Sequence, residues 1–124
     1  MDGRLDERGQ PVLDLSLAGV ADSLPVLIDT GFDGELIAYQ DQLVQINLQP
    51  SYRDVERVRL ADGTLVVTLV TNVAVSWHGA FRPVTVNVVT QDAPEGARAL
   101  LGCQLLRDST LEVAFPDGTI RITR

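Results

Sequence analysis

Apolar residues recur at every second position along much of this chain, and few folds accept that period. Leu13, Leu15 and Leu17 alternate with Asp14 and Ser16. Val84, Val86 and Val88 alternate with Thr85 and Asn87, and Leu111, Val113 and Phe115 with Glu112 and Ala114. Ile120 and Ile122 follow the same rule beside Arg121 and Thr123. Side chains of an extended chain point to opposite faces in turn, so this pattern predicts half-buried strands. Leu24–Ile28, Leu65–Val75 and Ala99–Leu101 are more continuous apolar runs and predict further strands. Asp62-Gly63 and Pro116-Asp117-Gly118 stand between such runs, where residues tolerant of positive φ make hairpin turns. Helical segments are confined to Gln40–Ile46 and Cys103–Arg107. The inventory predicts an all-β barrel or sandwich. A length of 124 residues suits one domain over 1–124 with a modest core. Residues 1–10 are polar and read as an extended or mobile lead-in.

Charge excludes some partners. A formal net charge of −7 argues against nucleic acid, whose phosphates demand clustered cations, and against anionic membrane surfaces. No apolar run approaches the ~18 residues of a membrane span, and the first residues lack the apolar stretch of a signal peptide. Cys103 is the only cysteine, which leaves no intrachain disulfide and no multi-cysteine metal site. A reducing, cytoplasmic compartment is the default expectation.

One carboxylate stands out. The strand-like run Leu24–Ile28 ends abruptly in Asp29-Thr30-Gly31-Phe32-Asp33-Gly34 before Leu36-Ile37-Ala38 resumes. A carboxylate at the end of an apolar strand is costly unless it is hydrogen-bonded or faces a cleft. Gly31 and Gly34 allow a tight path and close approach of another chain. Hydrolysis by carboxylates needs a pair at one water, one acting as base and one donating a proton. This sequence carries Asp-Thr-Gly once. A symmetric homodimer supplies the second copy.

These residues, with two later motifs in the same order, resemble the retropepsin-like aspartic proteases, and the bacterial single-domain members of that family in particular. The matching segments are Asp29-Thr30-Gly31, the hairpin around Ala61-Asp62-Gly63-Thr64, and Leu100-Leu101-Gly102 before Cys103–Arg107. The resemblance implies a closed barrel of short strands with one short C-terminal helix and a flap hairpin over the active site. It implies an aspartic endopeptidase acting on peptide or protein substrates as a homodimer, with neither metal nor cofactor. Asp29 is then the catalytic carboxylate. Thr30 braces the two loops across the dimer, and Gly31 admits and hydrogen-bonds substrate backbone. Asp33, Phe32, the flap residues Ala61, Asp62, Gly63 and Thr64, and Leu101 are the implied substrate-binding residues.

Departures from that pattern set further expectations. Phe32 stands where retroviral enzymes carry a small residue, so it narrows or reshapes a subsite. Cys103 stands where those enzymes carry an arginine that pairs with the carboxylate at the position of Asp33, so that ion pair is absent or remade. The alternative reading is a peptide-binding or assembly module that keeps the fold without turnover. His78, the only histidine, is read as structural or solvent-facing, and Ser109 as lacking a triad. Arg53, Arg57 and Arg59 are read as the wet face of the hairpin or a contact for an acidic partner.

Overall fold

A computed structural model describes residues 1–60 and 62–124. The elements in chain order are β1 (Asp2–Leu5), β2 (Pro11–Leu15), β3 (Leu24–Ile28), β4 (Leu36–Tyr39), α1 (Gln40–Gln45), β5 (Asp54–Arg59), β6 (Leu65–Trp77), β7 (Ala80–Val89), β8 (Ala99–Leu101), α2 (Cys103–Leu106), β9 (Thr110–Ala114) and β10 (Thr119–Thr123). No helix among the described residues is long and apolar enough to cross a membrane.

The strands form one ten-stranded sheet in the order β5-β6-β7-β4-β8-β3-β2-β1-β10-β9. Two pairings are parallel, β3 with β8 and β4 with β7. Each parallel pair needs a long crossover, and these crossovers bring the loop after β3 and the turn after β8 to the same end of the sheet. The expected closed barrel is replaced by an open ladder with free edges at β5 and β9. The sheet curls back on itself at a single seam: Leu17, just past β2, bridges Val75 of β6, and Ala18 N–H donates to Ala74 O at 2.9 Å.

The lead-in joins the sheet. β1 pairs with both β2 and β10, and the Met1 ammonium donates to Ile122 O at 2.7 Å. Arg4 forms an ion pair with Asp14 across the β1–β2 ladder. Inside the curled sheet lie Leu13, Leu15, Val26, Val75, Val84, Leu101, Leu105, Ile120 and Ile122, all nearly solvent-free. Burying each such side chain stabilises the fold by about 1.5–3 kcal/mol. The β6–β7 turn has φ of +51° at His78 and +84° at Gly79, both left-handed as a two-residue hairpin loop requires.

A smaller apolar cluster sits on the other face. Phe32, Ile37, Val58 and Val89 are its buried members, with Tyr39, Leu60, Val66 and Leu100 packed around them. Val58, Leu60 and Val66 belong to the β5–β6 hairpin, so this cluster fastens the hairpin to the sheet.

Candidate active site

Strand parity aims Asp29. In β3 the buried side chains are Leu24, Val26 and Ile28, while Leu27 faces the other way and is half-buried. Asp29 continues the ladder, its N–H donating to Leu101 O of β8 at 2.8 Å. It therefore shares the face of Leu27 rather than the core, and it is half-buried while Thr30 and Gly31 are exposed. The loop folds over its own carboxylate: Gly31 N–H donates to Asp29 Oδ1 at 2.9 Å, and Phe32 N–H donates to Asp29 O at 3.2 Å.

The first turn of α2 clamps this loop. The leading N–H groups of a helix have no partner within it. Here Cys103 N–H donates to Phe32 O at 2.9 Å and Gln104 N–H to Gly34 O at 3.2 Å. Gly102 N–H adds a bond to Glu35 O at 2.9 Å. Glu35 carries the connection onward, its carboxylate accepting from Thr85 N–H at 3.0 Å and from the Arg82 guanidinium at 3.3 Å. This ion pair ties the loop to β7, and Cys103 lies half-buried at the helix start.

Phe32 is enclosed by glycines. Its ring is 2% exposed. A Cβ on Gly34 would stand 2.5 Å from Phe32 Cζ. A Cβ on Gly102 would strike Gly34 O, with the Phe32 ring at 2.6 Å and Phe32 O at 2.7 Å. Both glycines are needed for want of space rather than for backbone conformation, since neither has a positive φ.

The other expected residues are placed as follows. Leu101 pairs with Ile28 and Leu36 and is fully buried in the core, so it does not line a cleft. Its neighbour Leu100 pairs with Leu27 and Ile37 and lies on the Asp29 face. Phe32 is a packing residue beneath Val58 rather than an open wall. Asp33 is exposed and borders a cavity of ≈ 250 Å³ together with Glu56, Arg57, Arg59 and Asn87. A larger cavity of ≈ 370 Å³ runs beneath the hairpin, lined by Leu27, Ile37, Tyr39, Leu60, Val66 and Leu100. Asp29 does not line it.

At the hairpin tip, Asp62 Oδ1 accepts from Thr64 N–H at 2.9 Å, and Leu60 N–H closes the loop onto Thr64 O at 2.8 Å. The hydroxyl and N–H of Thr64 hold the Asp62 carboxyl below its usual range. Gly63 has φ of +87°. Ala61 lies outside the described residues. Sequence reasoning missed the contact of His78 Nε2 with Ser109 Oγ at 2.7 Å. Burial, followed by Arg124, the N-terminal ammonium and Arg82, lowers the His78 pKa. It also missed Glu35 and Leu100. Only strand register could have found Leu100, and nothing local marks Glu35.

The open sheet, the Asp-Thr-Gly loop clamped by a short helix, and the hairpin beside it define the retropepsin-like fold of aspartic proteases. Solved structures that share it include the following three. A retropepsin-like aspartic protease from Rickettsia conorii is 12% identical, with a TM-score of 0.67 over 99% of this chain and 88% of that one. EIAV protease complexed with the inhibitor HBY-793 is 20% identical, with a TM-score of 0.63 over 83% and 90%. The retroviral protease-like domain of Ddi1 from Leishmania major is 9% identical, with a TM-score of 0.53 over 93% and 91%. No family model and no curated protein matches the chain.

Proposed function

We propose that this chain is an aspartic endopeptidase whose active site forms when two copies meet. The observation that carries the reading is Asp29, a lone carboxylate fixed at the mouth of a hydrogen-bonded loop on the cleft face. With its copy opposite, one Asp29 takes a proton from water while the other, protonated, donates to the scissile carbonyl oxygen. The water oxygen bonds the carbonyl carbon. The C–N bond then breaks as the first Asp29 passes the proton it took from water to the departing amine, and the second recovers its proton as the carbonyl re-forms. Two such carboxyls within hydrogen-bond reach hold one proton between them, so the pair works on the acidic side of neutrality.

The remaining roles follow from placement. Exposed Thr30 braces the paired loops, Gly31 meets substrate backbone, and the tip at Asp62, Gly63 and Thr64 closes over the peptide as a flap. The apolar cavity beneath the hairpin receives a substrate side chain. The Phe32 ring fills the neighbouring space and reshapes the subsite beside it. Because β1 is already paired within its own chain, the free edge of β9 is the strand through which the copies join.

The buried Phe32 ring also favours a second reading, a peptide-binding module without turnover. A mixed peptide library at pH 3 to 7, with and without a statine-containing peptide, separates them. The proposal expects cleavage that the statine peptide blocks and Asp29→Asn abolishes. Cleavage that survives Asp29→Asn refutes it, and statine-peptide binding without cleavage supports the module.

A further inference from the structure

β5 is an edge strand, paired only with β6 among the described residues. Antiparallel ladders alternate between residues bonded to the partner and residues facing away. The Leu60 N–H to Thr64 O bond sets the phase, because these two residues lie opposite each other in the β5–β6 register. Asp54, Glu56 and Val58 therefore turn their backbone groups toward β6, and Val55, Arg57 and Arg59 turn theirs outward. Val55 N–H is already met by Asp54 Oδ1 at 2.8 Å. The open groups belong to Arg57 and Arg59.

The side chains of these residues share one face. Val55, Arg57 and Arg59 stand beside Leu69, Val67 and Leu65, with Val55 and Val67 each 60% exposed and Leu65 54%. Neither Arg57 nor Arg59 is in an ion pair among the described residues; Arg59 reaches only Gly63 O, at 3.3 Å. The carboxylates of Asp54 and Glu56 project from the opposite face, and Asn87 Nδ2 donates to Glu56 at 3.4 Å. The edge itself borders the groove of ≈ 250 Å³ that Asp33 and Gly34 also line.

All ten basic residues of this chain are arginines. Exposed edges are commonly blunted by lysine, whereas arginine presents a planar fork that matches a carboxylate. Two β5 edges laid together would set arginine against arginine, so this edge repels its own copy.

We propose that the β5 edge binds an extended peptide as an added strand, and that Arg57 and Arg59 select acidic side chains on it. This rests on the peptide-cleaving reading and names its substrate class. Side chains of an added strand alternate between faces. Those on the outer face lie opposite Arg57 and Arg59 and carry carboxylates, with an apolar residue opposite Val55. Those on the inner face meet Asp33 and Glu56 and are uncharged. The recognised pattern is therefore acidic at every second position with neutral residues between.

The test measures fluorescence anisotropy of Asp29→Asn protein with a labelled probe, Thr-Glu-Thr-Glu-Thr-Val-Thr, which as an antiparallel strand sets its glutamates opposite Arg59 and Arg57 and its valine opposite Val55. The control probe has glutamine for both glutamates. The acidic probe is expected to bind at least about tenfold tighter at low salt, with the advantage shrinking as salt rises. Arg57→Glu with Arg59→Glu should remove that advantage, and hydrogen exchange at the Arg57 and Arg59 N–H groups should slow on binding. Equal affinity for the two probes, no saturation up to about 1 mM, or protection elsewhere than β5 overturns the proposal. Library cleavage by the wild-type chain separates the two readings. Cleavage without acidic preference sinks this inference and leaves the protease. Acidic-probe binding at β5 with no cleavage of any peptide does the reverse.

Discussion

The packing of Phe32 against Gly34 can be tested by a double-mutant cycle. The three heavy atoms nearest to a Cβ on Gly34 all belong to the Phe32 ring: Cζ at 2.5 Å, Cε1 at 3.0 Å and Cε2 at 3.2 Å. The ring is buried and packed in one cluster with Ile37, Val58 and Val89, which resists its displacement. Gly34→Ala in the wild-type background is therefore expected to cost about 1–3 kcal/mol of overpacking strain. Phe32→Ala alone should cost about 3–5 kcal/mol, since the ring is buried and leaves a cavity. Without the ring, the Gly34 methyl has room. It then contributes about 0.4–1 kcal/mol, because Gly34 does not have positive φ and alanine restricts the unfolded chain. The double mutant should thus be no less stable than Phe32→Ala alone, a coupling of about 1.4–4 kcal/mol. Urea unfolding of the four proteins gives the cycle, provided m is unchanged. If the two costs add within about 0.5 kcal/mol, the ring does not occupy the space above Gly34.

Other outcomes follow from the same geometry. Gly102→Ala should cost about 3 kcal/mol or more and should not be rescued by Phe32→Ala, because its Cβ collides with the backbone oxygens of Gly34 and Phe32 as well as with the ring; urea unfolding of the single and double mutants checks this. The folded state lowers the His78 pKa, chiefly by burial. The unfolded chain therefore takes up the proton first, and stability falls as pH drops through about 6.5; thermal melts from pH 8 to 5 should show a shallower slope for His78→Gln. Asp6 is held below the ordinary carboxyl value by the Gln10 N–H first, then by the Arg8 N–H and Arg98. Its contribution is present above about pH 4 and is lost as pH falls further; Asp6→Asn should flatten that limb of the same melts.

Much of the fold was legible because its strands obey a local rule. Alternation at Val84–Val88, Leu111–Val113 and Ile120–Ile122 needs only the pleat to be read, and Asp62-Gly63 and Asp117-Gly118 mark hairpins by backbone chemistry alone. Phe115, expected to continue the alternation, falls in the turn after β9 and is exposed. β1 was not legible as a strand: Asp2–Leu5 has no apolar alternation, and its partner β10 lies at the far end of the chain. The choice between Leu100 and Leu101 depended on the β3–β8 register, and a slip of one residue exchanges the faces. Asp29 announced itself as a carboxylate ending an apolar strand. The burial of Phe32 did not, because the space it fills is shaped by Gly34 and Gly102, remote from each other in sequence. The open sheet likewise depends on β5 and β9 each pairing, among the described residues, only with the strand next in sequence, which no single segment encodes.

The claim that two copies build one site is tested most directly by mixing. Wild-type and Asp29→Asn chains are combined in equal amounts, allowed to exchange subunits, and assayed for peptide cleavage at constant total protein. If both Asp29 carboxylates are needed, only wild-type pairs cleave, and random pairing leaves about one quarter of the undiluted activity. Activity of one half, tracking wild-type chains rather than pairs, would contradict a site shared between two copies.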